Sequence, residues 1–144
     1  MQVTEGHIFS QMSFRDVEDT DERLILELDT GPELVNRRGA LQGGLVATLI
    51  DIAAGRLADR HVATGHDVTT ADMTVHYLAP IIEGPARAVV TVVRAGKRLS
   101  IIAVDVTDVA RDGLAARATV TFAVLEPRLL AEPRESSDPL ARFE

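Results

Sequence analysis

No cysteine occurs among the 144 residues. Disulfides, thiolate nucleophiles and cysteine-held metals are therefore excluded. Aromatic side chains make up only 3% of the chain, and the net charge is -7 at pH 7. A general nucleic-acid binder needs a basic surface and stacking rings, so that class is set aside. No apolar run reaches the roughly 20 residues of a membrane span, and no membrane partner is expected. The opening MQVTEGHIFSQMSF lacks a basic segment leading into an apolar block, so no export signal is read there. With neither disulfides nor an export signal, the cytoplasm is the expected compartment. Sequence patterns for a nucleophilic serine elbow, a phosphate-binding Walker loop and a dinucleotide fold are all missing. His61 and His66 lack the i, i+4 spacing of a zinc pair, and no metal is expected.

What the chain does have is 46% hydrophobic and 26% charged residues, ordinary for a globular domain of this length. Residues 8–17 read weakly as a strand. Leu24, Leu26 and Leu28 alternate on one face of a second strand, which Thr30-Gly31-Pro32 ends. The segment from Glu33 to Gln42 reads as a loop, and Gly43 to about Arg60 as the one convincing helix, with Gly65 beyond its end. From residue 67 the period changes to two. Ala71, Met73, Val75 and Tyr77 are expected on one face of the next strand, with Thr70, Asp72, Thr74 and His76 on the other. Three more strands follow, and in the last of them Leu114, Ala116, Ala118, Val120, Phe122 and Val124 oppose Arg117, Thr119 and Thr121. Turns at Glu83-Gly84-Pro85, Ala95-Gly96-Lys97 and Arg111-Asp112-Gly113 join the last four strands, predicting antiparallel neighbours. The order β-β-α-β-β-β-β implies an α+β domain over residues 1–125, a single sheet wrapped around one long helix. Residues 126–144, rich in Pro, Glu and Ser, are expected to form a flexible tail.

Within the helix, QGGLVATLIDIAAG carries one charge, Asp51, among Leu45, Val46, Ala47, Leu49, Ile50 and Ile52. A carboxylate so placed is expected to be shielded from water. Three explanations stand together: it reaches the rim of the sheet, it ties helix to strand, or chemistry requires it, since an uncompensated buried carboxylate is costly. At the helix start, the backbone N–H groups near Gly43 can hold an oxygen bearing negative charge. An N–H donor beside a carboxylate makes an acyl-transfer site. Gly43 and Asp51 are eight residues apart, roughly 12 Å along a helix axis, too far to share one reacting group. Two antiparallel copies of the helix would bring Gly43 of one chain to Asp51 of the other, so such a site is predicted to lie between subunits of a two-fold dimer.

The pattern Asn36-(x)5-Gln42-Gly43-Gly44-(x)6-Asp51, followed by T-A-D-M-T-V-H-Y-L-A-P and later R-A-G-K-R-L, resembles the hotdog-fold acyl-CoA thioesterases. Among them it is most similar to the phenylacetic-acid-degradation type, and the likeness spans about residues 8 to 125. The resemblance implies hydrolysis of a small or medium acyl- or aroyl-CoA to the free acid and CoA, with coenzyme A as part of the substrate and no separate cofactor. It implies that Gly43 N–H and the Asn36 side chain hold the thioester carbonyl. Asp51 of the opposing subunit would act as general base or nucleophile, assisted by a hydroxyl at Thr70. Homodimers are implied, with tetramers expected.

One position departs from the family pattern. Gln42 stands where the family has His; it can hydrogen-bond but cannot carry a proton. Gln42 and Gly44 are expected to border the substrate, while Leu45, Ala54, Leu57 and Tyr77 are expected to wall the pocket. CoA phosphates must find local cations on an acidic protein; Arg94, Lys97 and Arg98 are ranked first, and Arg37 and Arg38 are a second group. Two other readings stay open: an acyl-CoA-binding hotdog protein without turnover, and a hydratase or dehydratase on the same fold. The latter uses a His near the helix carboxylate, and none stands in residues 31–50.

Overall fold

The computed structural model describes residues 6–127; apart from Glu126 and Pro127, the expected tail lies outside the described residues. Gly43–Asp59 form α1, close to the expected limits. Its buried residues Val46, Leu49, Ile50, Ala53, Ala54, Leu57 and Ala58 recur at three and four positions, so one stripe of the helix faces the core. Six strands surround it: β1 (Phe14–Asp19), β2 (Arg23–Leu28), β3 (Asp67–Tyr77), β4 (Ala86–Ala95), β5 (Leu99–Asp108) and β6 (Gly113–Leu125). They form one antiparallel sheet in the order β1-β2-β4-β5-β6-β3. Leu24, Leu26 and Leu28 of β2 are fully buried, with Ala88, Val90, Ile102, Val104, Val106 and Val120. Among the described residues no helix is long and apolar enough to cross a membrane.

A flat sheet cannot enclose a helix, and the register shows how this one bends. Pairing skips Val17 in β1, Ala71 in β3, Val93 in β4 and Ala115 in β6. Each skip is a β-bulge, which bends its strand and sharpens the twist. A bulge also resets the alternation of side chains, and here it overturns two expectations. Thr70 pairs with buried Phe122, and Met73, Val75 and Tyr77 pair with buried Val120, Ala118 and Ala116. Thr70 thus faces the helix with Met73, Val75 and Tyr77, not outward with Asp72, Thr74 and His76. Leu114 pairs with Thr107 beyond the Ala115 bulge and is 36% exposed, leaving the core row it was expected to join.

Two further differences concern the chain path. Residues 8–17 are not one strand: Ile8–Gln11 form a 3-10 turn, with Met12 N–H bonded to Phe9 O at 3.1 Å. That turn packs Phe9 beside Phe14, with ring centroids 6.2 Å apart, and seats Met12 in the core, so β1 begins only at Phe14. The short connection after β3 does not make β3 and β4 neighbours. β3 closes the far edge against β6, while β4 lies between β2 and β5.

The connection between β3 and β4 is held by Asp108, a carboxylate only 2% exposed at the end of β5. Its oxygens accept from the backbone N–H groups of Ile82, Glu83 and Gly84 at 2.9, 3.2 and 2.8 Å. Gly84 adopts φ +70°, and a Cβ there would stand 2.5 Å from Thr30 Oγ1, so the turn requires glycine. Burial pushes the Asp108 carboxyl up, but the three N–H bonds outweigh it and hold it below the usual carboxylate range. A folded-state value below the unfolded one means that this stabilisation is complete above pH about 4 and is lost as pH falls through the lower folded value. Asp108→Asn is therefore expected to cost about 1–3 kcal/mol at pH 7, with wild type and variant converging in acid. Urea unfolding at pH 7 and at pH 3 measures both, and a gap that persists unchanged at low pH would show that ionised Asp108 does not hold this loop.

Candidate active site

The lead-in to α1 is organised around Asn36. Its N–H bonds Ala40 O at 2.7 Å, its C=O accepts from Gly39 N–H at 2.9 Å, and Gly39 sits at φ +76°. The side-chain Oδ1 accepts from Arg38 N–H at 2.9 Å and from Ala40 N–H at 3.3 Å. With Oδ1 so engaged, the orientation of the amide is set. Its NH2 group donates to nothing among the described residues. Leu41 N–H bonds Ile81 O at 2.8 Å and Gln42 N–H bonds Leu34 O at 3.0 Å, so backbone bonds on two sides hold the entry to the helix. The Gln42 side chain makes no capping bond. Backbone contacts hold this loop without a cap bond from that side chain.

Gln42 O accepts from both Leu45 N–H at 2.9 Å and Val46 N–H at 3.1 Å. The Gln42–Gly43 peptide is therefore polarised through its oxygen, while Gly43 N–H bonds no acceptor among the described residues. Such an N–H at the positive end of a helix is a strong donor toward developing negative charge. Gly43 lines a cleft of about 480 Å³ together with Asn36, Arg38, Leu41, Val46, Tyr77, Leu78, Pro80 and Ile81, among others. Asn36 and Gly43 are thus brought together. Gly44 is exposed, and a Cβ added there would meet nothing within 4 Å.

Asp51 lies two turns further along α1. Gly44, Ala47, Thr48, Asp51, Ile52 and Gly55 are all exposed or half-buried, forming the side of the helix turned away from its own core. Within the protomer Asp51 is therefore half-buried, not sealed from water as its apolar neighbours in sequence suggested. Thr70 Oγ1 donates to Asp51 Oδ1 at 2.7 Å, tying β3 to the helix and leaving Asp51 Oδ2 available. Gly43 and Asp51 occupy one uninterrupted helix, so the roughly 12 Å between them stands.

Arg94, Lys97 and Arg98 surround the β4–β5 turn, where Gly96 N–H bonds Leu99 O at 2.9 Å and a Cβ on Gly96 would press on that oxygen at 2.7 Å. Lys97 and Arg98 line a second cleft of about 540 Å³ with His61 and His66. This is the C-terminal end of α1, the opposite end from Gly43, so the structure does not bring these cations to Asn36 within one protomer. Among the described residues Arg15, Arg23, Arg56, Arg60, Arg87, Arg111 and Arg117 are paired with carboxylates. Arg37, Arg38, Arg94, Lys97 and Arg98 form no ion pair there. Among the described residues, the cations without an ion pair thus fall into two groups, one at each end of the helix.

Ala54 and Leu57 are fully buried in the core and line neither of these two clefts. Tyr77, expected as a wall, does line the first cleft, and its hydroxyl donates to Gly43 O at 2.7 Å. Sequence reasoning missed Ile81 and the loop that carries it; Pro80 was the only signal, and it marked a strand end.

A family model for the thioesterase superfamily matches residues 38–115. The chain belongs to that superfamily. Acyl-coenzyme A thioesterase 13 of Mus musculus is 31% identical over 88 residues, 60% of this chain and 62% of the mouse protein. A Bacillus halodurans protein solved with CoA is 30% identical, with a TM-score of 0.66 over 70% of this chain and 66% of that one. A Haemophilus influenzae thioesterase superposes with a TM-score of 0.79 at 15% identity, covering 91% and 89%. The sheet and its enclosed helix are the hotdog fold.

For this thioesterase-superfamily member the Thr70–Asp51 bond is open to direct measurement. Thr70→Val preserves side-chain shape and removes the hydroxyl, and is expected to lower stability by about 1 kcal/mol in urea unfolding. No loss at all would mean that the bond is not held in solution.

Proposed function

We propose that the protein hydrolyses small or medium acyl- or aroyl-CoA thioesters in a site shared by two subunits. The observation that carries this reading is the division of one helix into a donor end and a carboxylate station. Gly43 N–H and the Asn36 amide stand free at one, the Asp51–Thr70 pair stands at the other, and no single thioester reaches both. An antiparallel partner helix unites them twice about a two-fold axis. The free edge of β3 supports such an axis, because β3 pairs only with β6 among the described strands. An edge of 11 residues is a ready template for its own symmetry mate.

In this arrangement Gly43 N–H and Asn36 Nδ2–H polarise the thioester carbonyl and stabilise the oxyanion. The partner subunit's Asp51 takes a proton from water as it adds to the carbonyl carbon, or adds directly to give an anhydride that water then opens. Either way the C–S bond breaks, CoA leaves as the thiolate and is protonated, and the free acid remains. Thr70 holds one carboxylate oxygen so that the other faces the substrate. The Asn36 to Asp51 spacing favours the phenylacetic-acid-degradation type. The replacement of a family His by Gln42 does not weaken the reading, since backbone bonds shape this loop and the steps above need no proton from that position. The CoA-bound relative supports CoA as the carrier. The antiparallel pairing also brings the Arg37–Arg38 loop of one subunit toward the Lys97–Arg98 turn of the other, placing both unpaired cation groups around one set of phosphates.

Two experiments test this. Asp51→Asn is expected to lower turnover of an acyl-CoA panel at least about 100-fold, followed with a thiol reagent, while the protein elutes as the same dimer on sizing. A folded variant as fast as the wild type defeats the assignment. Lys97→Glu combined with Arg98→Glu is expected to raise KM for CoA thioesters about 10-fold or more, the scale of one or two lost charge contacts. Hydrolysis of a truncated thioester without the nucleotide should be unchanged, and an equal effect on both substrates would remove these residues from phosphate binding.

A further inference from the structure

We propose that Tyr77 is a positioning residue that sets the Gly43 amide. This rests on the thioesterase reading above. The start of α1 is poorly secured by its own sequence. Gly43 and Gly44 are the residues with the greatest backbone freedom, and Gln42 supplies no side-chain cap, a bond that ordinarily steadies a first turn. The donor expected to face the oxyanion therefore sits on a first turn that backbone bonds lead into at Leu41 and Gln42 but that no side chain of the helix caps.

Tyr77 supplies a tie from outside the helix. It is the last residue of β3 and pairs with Ala116, so its ring points inward. Its hydroxyl donates to Gly43 O at 2.7 Å. The ring carbons lie 3.5 and 3.7 Å from where a Cβ on Gly43 would stand, so the absence of a side chain lets the ring rest against the turn. The residue is 56% exposed, and burial does not account for its place. It is the one tyrosine of the chain. β3 therefore holds α1 through two hydroxyls: Thr70 at the carboxylate and Tyr77 at the donor end. In the shared site these two ties come from different subunits and act on the two partners of one reaction.

Tyr77→Phe retains the ring and removes the bond. Its kcat for acyl-CoA hydrolysis is expected to fall about 3- to 10-fold, the rate equivalent of one hydrogen bond, with KM within about 2-fold of wild type. In the ligand-free protein, amide hydrogen exchange at Leu45 and Val46, which close the first turn on Gln42 O, is expected to quicken by a similar factor. Unchanged exchange at those two amides overturns the proposal, and so does an unchanged kcat. Exchange needs no substrate. A wild type that releases no CoA would sink the functional reading by itself, and exchange would still decide whether Tyr77 holds the turn.

Discussion

The structure depends on covering one apolar helix with one sheet. The buried stripe of α1 holds seven residues between Val46 and Ala58, in a register of threes and fours, and a sheet of ordinary twist would leave its flanks in water. Bulges at Val17, Ala71, Val93 and Ala115 supply the extra bend. Once α1 lies in that trough, its two ends and its outer side become the only parts left for chemistry. The N-terminal end offers free N–H groups, the outer side offers Asp51, and the C-terminal end lies beside the Lys97–Arg98 turn.

Polar ties set the helix within the trough, because a mostly aliphatic core with no tryptophan fixes depth better than it fixes position along an axis. At the C-terminal half, Arg56 meets Asp16 and Asp19, and Arg60 meets Asp19 and Asp21, joining the helix to the β1–β2 hairpin. At the N-terminal end the bonds from Leu41 to Ile81 and from Tyr77 to Gly43 act in the same sense. On the outer face of the sheet, Glu27 is 1% exposed between its cross-strand neighbours Arg15 and Arg87. Burial raises its carboxyl, yet the two guanidiniums hold it below the usual range. Exposed ion pairs contribute little each; their use here is to assign register and to leave a small set of cations uncommitted.

Much of this was legible in the residues. The alternation of Leu24, Leu26 and Leu28 and the change from helical to two-residue period at residue 67 located the elements, because side-chain direction follows backbone geometry locally. The roughly 12 Å between Gly43 and Asp51 was readable too, since both lie on one helix and helix rise is a fixed length. The failures have separate physical causes. Thr70 and Leu114 were assigned to the wrong face because a bulge adds a residue without changing composition. The neighbour of β3 was misjudged because a short connection says how far the chain travels and not which edge it reaches. Gln42 was weighed for its side chain, whereas its backbone, held by Leu34, Leu45 and Val46, shapes the loop.

By itself the sequence determined the inventory and the distances along each element: one long apolar helix, six strands, a glycine start and a carboxylate eight residues on. Those follow from periodicity and covalent geometry, which any segment carries with it. Only the tertiary structure decided that Thr70 would meet Asp51, that Tyr77 would close on Gly43, and that Asp108 would gather the loop beside the cleft. Each of those contacts joins residues at least 19 positions apart, and sheet curvature, a property of all six strands together, sets which of them can touch.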